Sequence, residues 1–278
     1  MTGYLDGPGP RAFAHRGWHT GDLTGLENSM VAFTRAVAEG YRYLETDVHV
    51  TSDGKLVAFH DYRLDRVTDG AGLIGAQTWD RVRAARIGGR EPIPLMAEVL
   101  EAFPDARINI DPKSDAAVGP LLDLLLEADA MDRVCVGAFS DRRLGGIRRA
   151  AGPALATSLG PRQVFRMVSA AQWRRVRPFP RWHTDPAASG SAPSSSGRLL
   201  PGVVAAQVPV RFGRVRVITP RFVTAAHGAG IEVHAWTIDD PAEMTRLLDL
   251  GVDGIMTDRP DLLRDVLRRR GAWTEGRP

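Results

Sequence analysis

The chain has 278 residues, of which 44% are hydrophobic and 25% are charged, a composition that excludes a disordered or fibrous protein. Its formal net charge is +3, and Lys55 and Lys113 are the only lysines among arginines that are scattered along the chain. A nucleic-acid-binding protein is expected to gather its basic residues into a stripe or patch. We therefore expect no nucleic-acid partner.

The cysteine content and the N-terminal segment limit the class of protein further. Cys135 is the only cysteine and lies in an apolar run, which excludes a disulfide framework and a thiolate metal site. The N-terminus has neither a basic nor an apolar signal region, and no stretch approaches the ~20 apolar residues that cross a bilayer. The sequence predicts a cytoplasmic protein without stable membrane insertion.

Short apolar runs alternate with helical patterns along most of the chain. Nine runs are predicted as buried strands, at 12–14, 43–50, 56–59, 107–110, 134–139, 154–157, 203–208, 232–236 and 254–256. Helices are predicted from an N-cap at Asn28 to about Gly40, and at 94–103, 116–128, 142–150, 220–230, 241–250 and 260–268. This alternation indicates an α/β fold, and its length favours a TIM (β/α)₈ barrel in one domain spanning 1–278.

Nine strands exceed the eight positions of such a barrel, and the surplus strand is expected next to the turn at 51–54. If the runs before and after this turn form a hairpin, Glu45 lies opposite His60. If they are successive parallel strands, both still end at the carboxyl face of the barrel. Either geometry brings Glu45 and His60 to the same end of the sheet.

Two segments depart from the alternation. Residues 62–92 are too long for a plain connection and are predicted to form a small lobe inserted after the third strand, over the barrel mouth. Residues 187–197 are rich in serine, glycine and alanine and predict a flexible loop. A lid formed by its neighbours Trp182, His183 and Asp185 is one interpretation. A solvated surface loop is the favoured one.

Polar side chains follow the ends of the first four predicted strands. They are His15 and Arg16, then Glu45 and Asp47, then His60 and Asp61, and finally Asp111 and Lys113. The carboxyl ends of barrel strands carry active sites, and residues two apart on a strand share a face. Three converging carboxylates without a thiolate predict a divalent cation with oxygen ligands, Mg²⁺ or Ca²⁺.

The histidines and the fixed cations complete a phosphodiester-cleaving set. Two histidines share acid and base duties near neutral pH, while Arg16 and Lys113 balance the charge on phosphoryl oxygens. His49 is interpreted as a structural histidine, and His19, His183, His227 and His234 have no evident partner. Glu27 and Asn28 are interpreted as helix-start residues.

An ordered set of motifs resembles the glycerophosphodiester phosphodiesterase family, whose fold is a phospholipase-C-like TIM barrel. The set is Ala14-His15-Arg16-Gly17, Glu27-Asn28-Ser29, Glu45-Thr46-Asp47-Val48, Thr51-Ser52-Asp53-Gly54, His60-Asp61, Ala235-Trp236-Thr237-Ile238 and Thr257-Asp258-Arg259-Pro260. The resemblance implies metal-dependent hydrolysis of small glycerophosphodiesters to glycerol 3-phosphate and an alcohol.

The resemblance also implies roles for individual residues. His15 and His60 would be the catalytic acid/base pair, and Glu45, Asp47 and Asp111 the metal ligands. Substrate would be bound by Arg16, Lys113 and Trp236, the first two at the phosphate and the tryptophan at the glycerol. The chain departs from the family's usual Glu-x-Lys at Asp111, which is one methylene shorter, and its residues 163–201 do not align with family features and are expected to contribute to substrate preference.

Two other functions remain open at this stage. A phospholipase D of the sphingomyelinase-toxin type, cleaving a lysophospholipid or sphingolipid diester, shares the early motifs, but those toxins are secreted and disulfide-bonded. A non-catalytic barrel that binds phospholipid head groups is the other alternative. The presence of both His15 and His60 favours an enzyme over that binding role.

Overall fold

The computed structural model describes residues 3–173 and 202–273. Strands are β1 Arg11–His15, β2 Tyr43–Val50, β3 Leu56–Ala58, β4 Arg86–Ile87, β5 Glu91–Pro92, β6 Arg107–Pro112, β7 Val134–Val136, β8 Ala156–Ser158, β9 Val203–Pro209, β10 Arg211–Phe212, β11 Val215–Arg216, β12 Glu232–Trp236 and β13 Gly254–Thr257. Helices are α1 Met30–Ala38, α2 Trp79–Val82, α3 Met96–Ala102, α4 Val118–Glu127, α5 Asp141–Ala151, α6 Pro161–Trp173, α7 Pro220–Gly228, α8 Pro241–Asp249 and α9 Pro260–Arg269.

Eight parallel strands close into a barrel. Their order is β1, β2, β6, β7, β8, β9, β12 and β13, and β1 pairs with both β2 and β13. Helices follow the strands along the chain, and one large apolar cluster joins the helices to the outward-facing strand residues. The predicted TIM barrel is confirmed.

The ninth predicted strand is β3, which pairs antiparallel with β2 as a hairpin. The register predicted for this hairpin was wrong by one residue. Val48 lies opposite Ala58, so the same register carried onward places Thr46, not Glu45, opposite His60. Pairing stops at Ala58, and His60 therefore enters the site from the loop that follows.

Aromatic rings pack inside the amino end of the barrel, and carboxylates lie inside its carboxyl end. Tyr43 and Phe13 lie at the amino end with ring centroids 4.9 Å apart, and Tyr4 packs edge-on against Tyr43 from the N-terminal segment. Glu45 and Asp47 follow Tyr43 at two-residue intervals on β2, so strand alternation turns all three side chains inward. The three rings help to close the amino end of the barrel, and the carboxylates lie toward its open carboxyl end, the mouth.

Residues 62–92, which the sequence predicts as an inserted lobe, contain helix α2, the β4–β5 pair and part of an apolar cluster that includes Leu64, Ile74 and Ile87. Phe59 and Leu26 belong to the same cluster and attach the lobe to the barrel. The lobe follows β3 and so lies at the mouth end.

Two local predictions need correction. Ser29, not Asn28, caps α1, because its side chain accepts from the Ala32 N–H while Asn28 takes a left-handed φ of 58°. Phe139 was placed in a buried strand, but β7 ends at Val136 and Phe139 is 70% exposed, since Ser140 caps α5 and the chain must turn first.

Helix α6 occupies residues that had no predicted element, and it begins with Pro161 at its first position. The predicted flexible loop at 187–197, with Trp182, His183 and Asp185, lies outside the described residues. In the described part of the chain, none of the helices has the length and apolar character needed to cross a membrane.

Candidate active site

Three carboxylates meet at the barrel mouth. Asp47 on β2 is in register with Asp111 on the neighbouring strand β6, and Glu45 precedes Asp47 on the same face. Glu45 and Asp47 are 5% and 2% exposed. Lys113 Nζ lies 2.5 Å from Asp47 Oδ1 and 2.8 Å from Asp111 Oδ2, so it bridges two of the three carboxylates.

The charges at this site are unevenly balanced. Burial and the charge of Asp47 raise the pKa of Glu45 to about 7. Burial would also raise the pKa of Asp47, but Lys113 and Arg16 hold it below its ordinary value. Burial would lower the pKa of Lys113, yet Asp47 and Asp111 raise it to about 12. The lysine is therefore a fixed cation, and Glu45 is the carboxylate with the least compensation.

The turn after β1 aims Arg16 at the same carboxylates. Arg16 has a left-handed φ of 55°, and its backbone N–H donates to both the carbonyl and the carboxylate of Glu45, at 2.9 and 3.2 Å. Its side chain lies 3.4 Å from Asp47 Oδ2 and 2.9 Å from Glu27 Oε1. This turn thus places one cation between two acidic groups.

Gly17 allows that turn to pack against α1. It has φ +83°, and a Cβ there would lie 2.9 Å from the backbone carbon of Ala32. Gly25 has a similar φ of +81° but nothing within 4 Å. We expect Gly25→Ala to lower the free energy of unfolding by ~1–2 kcal/mol through backbone strain, and Gly17→Ala to lower it by ~1–3 kcal/mol more through crowding.

Chemical denaturation of both variants measures this difference. Equal losses of stability would show that the contact between Gly17 and α1 is not tight.

Each of the two predicted catalytic histidines has a carboxylate at Nδ1. His15 Nδ1 lies 2.6 Å from Asp258 Oδ1, and His60 Nδ1 lies 2.6 Å from Asp61 Oδ1. Burial would raise the pKa of Asp258, but hydrogen bonds from His15 and His19 hold it well below its usual range. Both carboxylates therefore accept a hydrogen bond from Nδ1 of their histidine, and the Nε2 atom of each ring is left for other partners.

The two carboxylates differ in their surroundings. Asp61 also accepts from Arg66, which together with His60 lowers the pKa of Asp61 to about 2. Burial would lower the pKa of His15. The charge of Glu45 and the hydrogen bond to Asp258 raise it instead, and Glu45 Oε2 lies 3.7 Å from His15 Nε2.

Several residues of the site were not identified from the sequence. Glu27 joins Arg16 to Arg66, with Arg66 Nη2 2.7 Å away, and is not merely a helix-start residue. Asn28 accepts from Thr46 and lies with its amide 3.5 Å from Asp47 Oδ2. The Glu-Asn-Ser motif, which stands immediately before α1, was the only available signal for them.

Other histidines gain partners that the sequence did not reveal. His19 Nε2 lies 3.2 Å from Asp258, and His49 donates from Nε2 to the His60 carbonyl at 3.0 Å. Burial lowers the pKa of His49, consistent with its predicted structural role. His227 and His234 pair with Asp253 and Glu232, at the amino end of the barrel.

A cavity of about 580 Å³ opens beside the carboxylates. It is lined by His60, Asp61, Tyr62, Arg63, Asp111, Lys113, Phe139 and Arg143. Trp236 is not among the lining residues, but its ring centroid lies 5.3 Å from that of Phe139. The structure thus brings His15, Arg16, Glu45, Asp47, His60, Asp111 and Lys113 together, and connects Trp236 to them through Phe139.

The three carboxylates suit a hard divalent cation in their chemistry. Within the described ranges, no three His, Cys, Asp or Glu side chains are grouped closely enough to hold an ion, and Lys113 lies between Asp47 and Asp111. Two observations fit an added cation nevertheless. Asp111 Oδ1 is buried with no hydrogen-bond partner among the described residues. Burial and the charge of Asp47 raise the pKa of Glu45, and a cation bound there would favour its ionised form.

A TIM barrel with two carboxylate-paired histidines and fixed cations at its mouth has the fold and site of a phosphodiesterase. The profile of the Glycerophosphoryl diester phosphodiesterase family matches residues 15–262. The chain therefore belongs to the glycerophosphoryl diester phosphodiesterase family, as its motifs predicted, and the predicted enzyme class is confirmed.

Individual relatives agree with this assignment. A Mycobacterium tuberculosis (strain ATCC 25618 / H37Rv) protein named "Probable glycerophosphodiester phosphodiesterase 2" is 41% identical over 97% of this chain and 95% of its own length. A Caldanaerobacter subterraneus subsp. tengcongensis glycerophosphodiester phosphodiesterase is 30% identical over 91% of this chain and 97% of its own length. The structure of a candidate glycerophosphoryl diester phosphodiesterase from Silicibacter pomeroyi DSS-3 is 23% identical, covers 99% and 100% of the two chains and has a TM-score of 0.75, which shows the shared fold.

Proposed function

We propose that this protein hydrolyses small glycerophosphodiesters to glycerol 3-phosphate and an alcohol, with a divalent cation and with His15 and His60 as the acid/base pair. The observation that supports this most strongly is the pairing of both histidines, through Nδ1, with Asp258 and Asp61 at the same barrel mouth. Membership of the family and the name of the Caldanaerobacter relative support the substrate class.

The histidine pairs define where protons move. An Nδ1–H that donates to a carboxylate fixes the ring tautomer, so that Nε2 takes or gives the proton. One Nε2 removes the proton from the neighbouring glycerol hydroxyl as it attacks phosphorus, and the other protonates the oxygen of the leaving alcohol. Water then opens the cyclic phosphate to give glycerol 3-phosphate. The mechanism needs one of these duties at His15 and the other at His60.

Arg16 and Lys113 bind the phosphoryl oxygens in this proposal. Both are held rigidly by carboxylates, Arg16 by Glu27 and Lys113 by Asp47 and Asp111. Fixed cations stabilise the charge that grows on the phosphoryl group without reorganising during the reaction. Trp236, beside Phe139, offers an apolar face to the carbon side of the glycerol.

Glu45, Asp47 and Asp111 would hold the divalent cation, Mg²⁺ or Ca²⁺. When bound, the cation supplies Lewis-acid polarisation of a phosphoryl oxygen. Asp111 is one methylene shorter than the family's usual glutamate, and it is paired with Lys113. These two features determine how closely its carboxylate would approach the cation.

Phosphorus NMR of the products tests the proposed reaction. With glycerophosphocholine we expect glycerol 3-phosphate and free choline. Phosphocholine with free glycerol would mean that the other phosphoester bond breaks, and activity confined to lysophospholipid or sphingolipid diesters would favour the phospholipase D alternative. Binding without any product would favour the non-catalytic barrel.

Asp258 is expected to act as a positioning residue for His15. Asp258→Asn removes the charge that fixes the Nδ1–H tautomer but keeps a side chain of the same size. We expect kcat to fall, by less than the ~10²-fold expected for loss of the histidine itself, with KM nearly unchanged. A change confined to KM in steady-state kinetics would show instead that Asp258 serves substrate binding.

A further inference from the structure

The β10–β11 hairpin is an exposed basic and apolar element that the proposed reaction does not use. Its sequence is Arg-Phe-Gly-Arg-Val-Arg, and every residue from 211 to 216 is exposed. Phe212 and Val215 are 76% and 47% exposed. Exposing two neighbouring apolar side chains of this size to water is unfavourable, so their exposure together indicates a surface that contacts something else.

The register of the hairpin separates its two kinds of side chain. Phe212 lies opposite Val215, and Arg211 lies opposite Arg216. Because side chains alternate across a strand, the apolar pair occupies one face and the arginine pair the other. Like charges directly opposite each other destabilise a hairpin, so the arginine pair is costly without an anionic partner.

The protein itself supplies little compensating charge. In the part of the chain that the structure describes, none of the guanidinium groups of Arg211, Arg214 and Arg216 has a hydrogen bond or ion pair. Glu243 on α8 feels the charge of Arg216, but its carboxylate is already paired with Arg246.

The hairpin lies at the catalytic end of the barrel. It follows the carboxyl end of β9, the end at which His15 and Asp111 lie on their own strands. Phe139 and Tyr62, which line the active-site cavity, are also 70% and 60% exposed at this end. A flat surface that met the hairpin would therefore face the mouth of the site.

Charge identifies the kind of surface. Arginines bind lipid phosphates, and basic residues near an anionic bilayer contribute about 1 kcal/mol each. Aromatic side chains beside them enter the level of the head groups. Residues 174–201 of this chain do not complement the hairpin, because they contain five arginines and a single aspartate. A second copy of the chain, with a net charge of +3, is a poorer match than an anionic lipid surface.

We propose that the Arg211–Arg216 hairpin docks the catalytic end of the barrel on anionic lipid surfaces, as a peripheral contact without insertion of a helix. The contact is independent of the hydrolytic reaction and brings the mouth of the barrel close to lipid-derived diesters. Phe212 and Val215 supply apolar contact at the head-group level, and the three arginines bind lipid phosphates.

Vesicle co-sedimentation of the full chain tests the proposal. We expect binding to phosphatidylcholine vesicles that contain phosphatidylglycerol, weaker binding as salt rises, and little binding to phosphatidylcholine alone. The triple variant Arg211→Gln, Arg214→Gln, Arg216→Gln should reduce partitioning at least ~10-fold. The double variant Phe212→Ser, Val215→Ser should also reduce it while keeping the net charge.

The matched control removes the same charge elsewhere. Arg42, Arg149 and Arg269 are exposed residues at the amino-end side of the barrel, and their triple replacement by glutamine should leave most of the partitioning intact. Hydrolysis of a soluble diester should be unchanged in both hairpin variants. Absence of wild-type binding to anionic vesicles, or an equal loss in the control triple variant, overturns the proposal, and a change in oligomeric state confined to the hairpin variants would assign the surface to a second copy instead.

Discussion

Replacing His15 or His60 with alanine is expected to lower kcat by at least ~10²-fold each, the low end for general acid and general base catalysis. Asp258 and Asp61 orient the two rings toward the proposed proton transfer, each at 2.6 Å from Nδ1 of its histidine. Steady-state kinetics with a soluble glycerophosphodiester measures the effect.

His227→Gln is the matched control for these variants. His227 also pairs with an aspartate, Asp253, at 2.7 Å, but it lies at the opposite end of the barrel. We expect its activity to remain close to that of the wild type. A His15 or His60 variant that retained wild-type turnover would remove that residue from the mechanism.

Loss of one buried carboxylate is expected to abolish metal-dependent activity. Glu45→Gln keeps the size of the side chain but removes the negative charge that has the least compensation at the mouth. Mg²⁺ or Ca²⁺ added to the EDTA-treated variant should then fail to restore turnover, because an oxygen site for a hard cation depends on its carboxylates.

Glu39→Gln provides the comparison, since Glu39 forms ion pairs with Arg35 and Arg264 on the outer helices, away from the site. Its metal response should match that of the wild type. An unchanged response in Glu45→Gln would place the cation elsewhere in the protein.

Strand alternation made the core of the site predictable from sequence. Glu45 and Asp47 share a face because they are two residues apart on β2, and Asp111 lies beside Asp47 because neighbouring parallel strands end at the same edge. Both relations follow from local spacing and barrel topology. The grouping of these carboxylates at the mouth was therefore predictable from the sequence alone.

Contacts between distant parts of the chain were not predictable in this way. Asp258 pairs with His15 across 243 residues, and no spacing rule connects them. The Glu27–Arg66 pair depends on how the inserted lobe folds back over the mouth. Such partners are set by packing of the closed barrel and the lobe rather than by local pattern.

Local turn geometry explains the errors at single residues. Asn28 has the chemistry of an N-cap, but its left-handed φ of 58° moves that role to Ser29. The predicted register of the β2–β3 hairpin was wrong by one residue, because the sequence of a turn does not determine which residues pair across it.

The most direct measurement of the central claim is release of glycerol 3-phosphate from glycerophosphocholine and glycerophosphoethanolamine, first in EDTA and then with Mg²⁺ or Ca²⁺ restored. The proposed site predicts no release in EDTA and release when the cation returns. Full activity in EDTA would contradict a metal-dependent reaction at Glu45, Asp47 and Asp111, and absence of release under every condition from folded protein would contradict the proposed hydrolysis itself.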